Sequence, residues 1–227
     1  MVTFVLVHGG WDGGWAWRSV ADHLVAAGHG VFRPTLTGAG ERVHLATPDV
    51  GLHTHIDDIV NVLRYEQLHQ VVLVGHSYGG MVISGVAEQL PERLQQLIYL
   101  DAFVPSDGDT TFNLVDPALS TVFAQMARAY GDGCRIPHDP PDADRRTDVL
   151  LKTLQEPLRI NNPHAAALPH SYVQFTDKMA DDFTKPIMEQ MAARARALGW
   201  QYREMAFPHA PMHDQPRAVA DLLLALV

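Results

Sequence analysis

The chain has 227 residues, 47% of them hydrophobic and 19% charged, with a formal charge of −9 at pH 7. That length and composition fit a single domain with a sizeable core and exclude a disordered chain, while the acidic balance argues against a nucleic-acid binder and offers no basic patch to an anionic membrane. Cys134 is the only cysteine, which excludes an internal disulfide and a cysteine-built zinc site and fits a reducing cytoplasm.

Met1 to Val7 lacks the basic start of a signal peptide, and its apolar run stops at His8-Gly9-Gly10. No stretch is long enough to span a membrane. Phe4 to Val7 instead reads as a buried strand followed by a Gly-rich loop. Trp15 to Ala27 reads as a helix with Trp17, Val20, Ala21, Leu24 and Val25 on one face, stopped by Gly28 and Gly30. Gly30 to Leu36 is a second strand and Thr54 to Leu68 a second helix. Val71-Val72-Leu73-Val74, wholly apolar and rich in β-branched residues, has the pattern of a strand buried on both faces of a parallel sheet. After Gly80 the apolar residues Met81, Val82, Val86, Ala87 and Leu90 recur at helical spacing up to Pro91. Leu97 to Leu100 is the fourth strand. Between about 102 and 170 the alternation breaks: Pro105, Gly108, Pro117, Gly131, Gly133, Pro137, Pro140, Pro141, Pro157, Pro163 and Pro169 surround apolar patches at 112–115 and 119–126. An excursion of that length reads as a cap over the carboxyl ends of the strands, the alternative being an inert surface loop. Regularity returns with a strand at 171–176, a helix at 184–198, a strand at 200–206 and a helix from 214 or 215 to 227. Six strands alternating with helices predict one α/β domain over 1–227, a mostly parallel sheet covered on both faces.

The chemistry centres on Gly75-His76-Ser77-Tyr78-Gly79, a G-x-S-x-G pentapeptide between a buried strand and a helix. In that setting Ser77 occupies a sharp turn at a helix N-terminus, where free N–H groups favour negative charge. A serine needs a base and an acid to orient that base. His209, just beyond the last strand, is the candidate base, preferred over His213. Asp177, directly after the strand at 171–176, is the candidate acid because it gives the order Ser77, Asp177, His209; Asp101, after the preceding strand, is the alternative. The oxyanion donors are expected from the backbone of Tyr78 and Gly10. Trp11, Tyr78, Phe103, Phe112 and Met212 are candidate pocket linings. The loop at 8–14 lacks the spacing of a nucleotide-binding motif, and no metal or cofactor is expected.

Val5-Leu6-Val7-His8-Gly9-Gly10 with Gly14-Trp15-Ala16-Trp17, Val74-Gly75-His76-Ser77-Tyr78-Gly79-Gly80, and His209-Ala210-Pro211-Met212 before Pro216 together resemble the α/β-hydrolase superfamily. The likeness is to its small esterase, methyl esterase and hydroxynitrile lyase branch. It spans the chain, with the cap the least matched part. The resemblance implies an α/β-hydrolase fold and a serine hydrolase that cleaves a small, largely apolar carboxylic ester or lactone through an acyl-enzyme. In that branch the acid follows a Thr-x-Asp-Lys-like strand end, to which Thr176-Asp177-Lys178 is similar but one residue shorter. The hydroxynitrile lyases carry Thr after the first His-Gly and Lys after the catalytic His; Gly10 and Ala210 stand there in this chain, so hydrolysis is favoured over cyanohydrin cleavage. A lyase or cyclase using the same site, and a non-catalytic ligand receptor on the same fold, are the alternatives.

Overall fold

A computed structural model describes residues 1–138 and 145–227. Pro140 and Pro141, counted above in the 102–170 excursion, lie outside the described residues. Six parallel strands form one sheet: β1 (Thr3–Val7), β2 (Gly30–Phe32), β3 (Val71–His76), β4 (Leu94–Leu100), then β7 (His170–Phe175) and β8 (Gln201–Met205), in the order β2-β1-β3-β4-β7-β8. The two remaining strands, β5 (Arg135–Ile136) and β6 (Val149–Leu150), pair antiparallel apart from that sheet.

Side chains alternate along each strand, so one central strand feeds two cores. Val5, Val7, Leu73, Leu97, Tyr99 and Tyr172 face α2 (Leu52–Tyr65), α3 (Gly79–Gln89) and, further along the chain, α7 (Thr184–Ala197). Phe4, Leu6, Val72, Val74, Ile98, Leu100, Val173 and Phe175 face α1 (Arg18–Ala26) and α8 (Pro216–Leu224). Burial on both faces is why β1 and β3 read as unbroken apolar runs.

Several boundaries differ from the expected ones: the second helix spans Leu52–Tyr65 rather than 54–68, the fourth strand starts at Leu94 rather than Leu97, and β3 runs on to His76. The second strand ends at Phe32 rather than Leu36, because Pro34 has no N–H to give to a ladder. The first helix begins as a 3-10 turn over Gly14–Trp17 before α1. Residues 102–170 do hold regular structure: α4 (Pro117–Tyr130), the β5–β6 pair, α5 (Leu151–Gln155) and α6 (Pro163–Ala166). Asp116 caps α4 by accepting from the Ala118 N–H at 2.7 Å, with Pro117 in the first turn. This segment is tied to the loops at the carboxyl ends of the strands: the Thr147 N–H donates to Trp11 O at 2.9 Å, and the Phe123 and Trp11 rings meet edge to face at 6.0 Å.

Candidate active site

The turn after β3 is held by close backbone approach. A Cβ on Gly75 would lie 2.7 Å from the Gly79 carbonyl oxygen, on Gly79 2.8 Å from Val7 O, and on Gly80 2.2 Å from Phe103 O, so the glycines allow α3 to start directly on top of the strands. Ser77 sits at φ 52° and Tyr78 follows it at the head of α3. Trp11 after β1 (φ 62°) and Asp101 after β4 (φ 45°) share that left-handed conformation. Each costs about 1–3 kcal/mol for a non-glycine residue, and all three stand at strand ends around one spot.

The Ser77 Oγ lies 3.1 Å from His209 Nε2, and His209 Nδ1–H donates to Asp101 Oδ2 at 2.6 Å. That hydrogen bond sets the tautomer: Nε2 is left as the acceptor facing the serine hydroxyl. The structure brings Ser77 and His209 together as expected, and the carboxylate it sets against the imidazole is Asp101 rather than Asp177. Asp177 is exposed, its N–H spent on Phe207 O at 3.0 Å in a continuation of the β7–β8 pairing. β4 is the immediate neighbour of β3, whereas β7 lies one strand further away, so the residue that turns off β4 is the one beside Ser77. Asp101 is fully buried and accepts from the Phe175 N–H at 3.1 Å and from Lys178 Nζ at 2.7 Å and 2.8 Å. Burial alone raises its carboxyl; the hydrogen bond and charge of His209 and the ammonium of Lys178 outweigh that and hold it below the usual carboxylate range.

His76, the residue before the serine, has a role that sequence reasoning missed: its Nε2–H donates to the backbone carbonyl of His209 at 2.7 Å and so anchors the loop that delivers the imidazole. His213 pairs with Asp12 at 3.2 Å rather than with Ser77. His8 tethers the glycine loop: its Nδ1–H donates to Gly9 O at 2.8 Å and its Nε2 accepts from the Leu36 N–H at 3.1 Å. The Tyr78 hydroxyl meets His55 Nδ1 at 3.0 Å.

A cavity of about 450 Å³ opens over Ser77 and His209. Trp11, Tyr78 and Phe103 line it as expected, with Gly10 beside them, joined by Phe123 and Met126 from α4, Val149 and Leu154, and Ile187 and Met188 from α7. Phe112 and Met212 do not line it. Met212 is buried with Phe207 in the α1–α8 core, and Phe112 packs against the other core with its N–H on Leu154 O at 3.0 Å. The apolar patch at 119–126 was the legible sign of the α4 wall. Thr111, on the cavity wall and 5% exposed, has no hydrogen-bond partner for its hydroxyl among the described residues. Among those residues, too, no cluster of histidine, cysteine and carboxylate side chains could hold a metal ion, and no helix is long and apolar enough to cross a membrane.

The alpha/beta hydrolase family pattern matches residues 4–222. The chain belongs to that family. It is 38% identical to a carbendazim hydrolyzing esterase of Nocardioides sp. (strain SG-4G), across the full length of both chains. It is 30% identical to putative methylesterase 14, chloroplastic, of Arabidopsis thaliana, over 98% of this chain and 71% of that one. An extracellular alpha/beta-hydrolase from a Paenibacillus species superposes with a TM-score of 0.85 over 99% of this chain and 98% of the other, at 24% identity. The expected fold is thereby established.

Three buried histidines make the molecule acid-sensitive. Burial, followed by the nearby charge on His209, lowers His76 to about 3; burial lowers His55 to about 4 and lowers His8 as well. The unfolded chain takes up protons on these side chains as the pH drops below 6.5, whereas the folded chain does not until near 3–4 for His76 and His55. Stability therefore falls as the pH falls through that window, by roughly 1.4 kcal/mol per pH unit for each of His76 and His55. Asp101 adds to the loss below 3.8, as its lowered carboxyl is finally protonated. Urea unfolding midpoints should drop steadily from pH 6.5 to 4.5, and His76→Gln should flatten that slope; a midpoint independent of pH over this range would refute the assignment.

Proposed function

We propose that this protein is a serine carboxylesterase-type hydrolase that cleaves a small, largely apolar carboxylic ester through an acyl-enzyme. The observation that carries the reading is the Ser77–His209–Asp101 relay, facing a mainly apolar cavity. Full-length identity of 38% to an esterase and family membership support ester hydrolysis as the reaction.

His209 takes the hydroxyl proton as Ser77 attacks the ester carbonyl, and Asp101 keeps the imidazole in the required tautomer. The backbone N–H groups of Gly10 and Tyr78 receive the oxyanion; both residues border the cavity beside Ser77. His209 then gives its proton to the departing alcohol, and water, activated by the same imidazole, releases the acid. Position 210 carries only a methyl group on the cavity wall, which supports hydrolysis over a lyase reaction needing a cation there. We read residues 102–170 as a cap, a reading supported by Phe123 and Met126 of α4 and by Val149, which line the cavity that holds Ser77. With one cysteine and a net charge of −9, the setting we assign is a reducing cytoplasm, with neither nucleic acid nor membrane as partner.

A panel of p-nitrophenyl and methyl esters, varied in acyl and alcohol size, tests the reading together with a fluorophosphonate that should add covalently to Ser77. Folded protein with neither turnover nor adduct would sink it. Thr111 refines the substrate class, since a buried hydroxyl without a partner favours a ligand heteroatom at that point. Thr111→Val should lower kcat/KM about tenfold for esters carrying a hydrogen-bonding group and leave hydrocarbon esters unaffected. Equal losses on both series would remove Thr111 from recognition.

A further inference from the structure

Lys178 is a buried cation that no step of the proposed reaction uses. Its side chain is 2% exposed and that of Asp101 is 0%. The ammonium reaches Asp101 Oδ2 at 2.7 Å, Asp101 Oδ1 at 2.8 Å and the Phe175 carbonyl at 2.6 Å. An ammonium has three donors, and these three acceptors match them. The oxygen at 2.7 Å is the same Oδ2 that accepts from His209. The segment after β7, where the sequence places the candidate acid, thus supplies a cation to the carboxylate that follows β4: Thr176 and Asp177 are exposed while the Lys178 side chain is buried.

Resting on the serine-hydrolase reading, we propose that Lys178 is a positioning residue that holds Asp101 ionised and aimed at His209 in a dry site, and that thereby sets the acid limit of activity. A carboxylate shut away from water is driven toward its neutral form unless a cation compensates it. Compensation has a second consequence. Asp101 with Lys178 is a neutral pair, so it attracts a proton onto the imidazole less strongly than a lone carboxylate does. The base therefore stays available at lower pH.

Other charged or titratable groups stand on the elements around this site. His76, at the end of β3, stands with its ring 4.8 Å from that of His209. Asp12, in the loop after β1, is held by His213 and Arg146. Tyr172 in β7 feels the Asp101 charge, and Asp182 lines the cavity just before α7. A change at Lys178 leaves all of them in place, so its effect on the pH profile is its own.

The test is the pH dependence of kcat/KM for a p-nitrophenyl ester, measured on the full chain as wild type, Lys178→Met, Lys178→Gln and Lys178→Arg. Methionine keeps apolar bulk and removes the charge; glutamine removes the charge but keeps hydrogen-bond donors. In both, the acid limb should move up by about one to two pH units, because the Asp101–His209 pair keeps its shared proton to higher pH whichever partner carries it. Arginine, which retains the charge, should leave the limb near the wild-type position. A merely structural lysine would lower the thermal midpoint without moving the limb. An unmoved limb in folded Lys178→Met or Lys178→Gln overturns the proposal, as does failure of both to fold. Fluorophosphonate labelling keeps the two failures apart: a labelled Ser77 with an unmoved limb overturns the role of Lys178 alone, whereas an unlabelled Ser77 in the wild type overturns the hydrolase reading and this inference with it.

Discussion

Replacing Ser77 with alanine should lower kcat for any ester the protein turns over by on the order of a million-fold, with KM little changed. The hydroxyl stands 3.1 Å from an imidazole whose other nitrogen is already committed to a carboxylate, so the alkoxide equivalent forms only at that atom. Removing one member of such a unit costs about as much as removing all of it; what survives is binding and oxyanion stabilisation. The substitution deletes one oxygen at the base of a cavity and should leave the thermal midpoint almost where it was. Stopped-flow turnover of a p-nitrophenyl ester should show a burst in the wild type and none in Ser77→Ala. A variant that retains more than about one per cent of wild-type kcat would show that the reaction does not pass through an acyl-serine.

The second large effect separates the two candidate acids. Asp101→Asn should lower kcat about 10⁴-fold, because an amide at that position favours the wrong imidazole tautomer and no longer stabilises the imidazolium. Asp177→Asn should change it by no more than about twofold, as expected of an exposed side chain outside the relay. Asp101→Asn carries a second penalty that must be separated from the first. It strands the buried Lys178 ammonium, and leaving one partner of a buried pair costs about 3–5 kcal/mol of stability. The double variant Asp101→Asn with Lys178→Met removes the stranded charge, so its thermal midpoint should recover while kcat stays low. Recovery of both would make the loss one of folding, and a larger loss in Asp177→Asn than in Asp101→Asn would return the acid to the end of β7.

These experiments bear on how far residues alone can be read. The six strands of the parallel sheet, the turn at Ser77 and the late histidine were legible, because each depends on a short window: a double-faced apolar run, glycines where backbones touch, a histidine just past a strand end; the short β5–β6 pair was not. The acid was not. Asp101 and Asp177 each follow a strand, and the preference for Asp177 rested on chain order, which says nothing about which strand lies beside β3. The two pocket residues misplaced, Phe112 and Met212, share that limit: an aromatic or a methionine near a site has the same local pattern whether it faces the cavity or the core behind it.

Local sequence by itself determined the class of fold and singled out the candidate nucleophile and its candidate base, since periodicity and turn chemistry act over a few residues. Only the tertiary structure decided which carboxylate completes the relay, that His76 holds the loop bearing His209, and that Lys178 is buried against Asp101. Those three contacts join residues 133, 108 and 77 positions apart in the chain. They exist because β3, β4 and β7 lie side by side in the sheet and the loop after β8 folds back across their ends, an arrangement set by the packing of two whole cores.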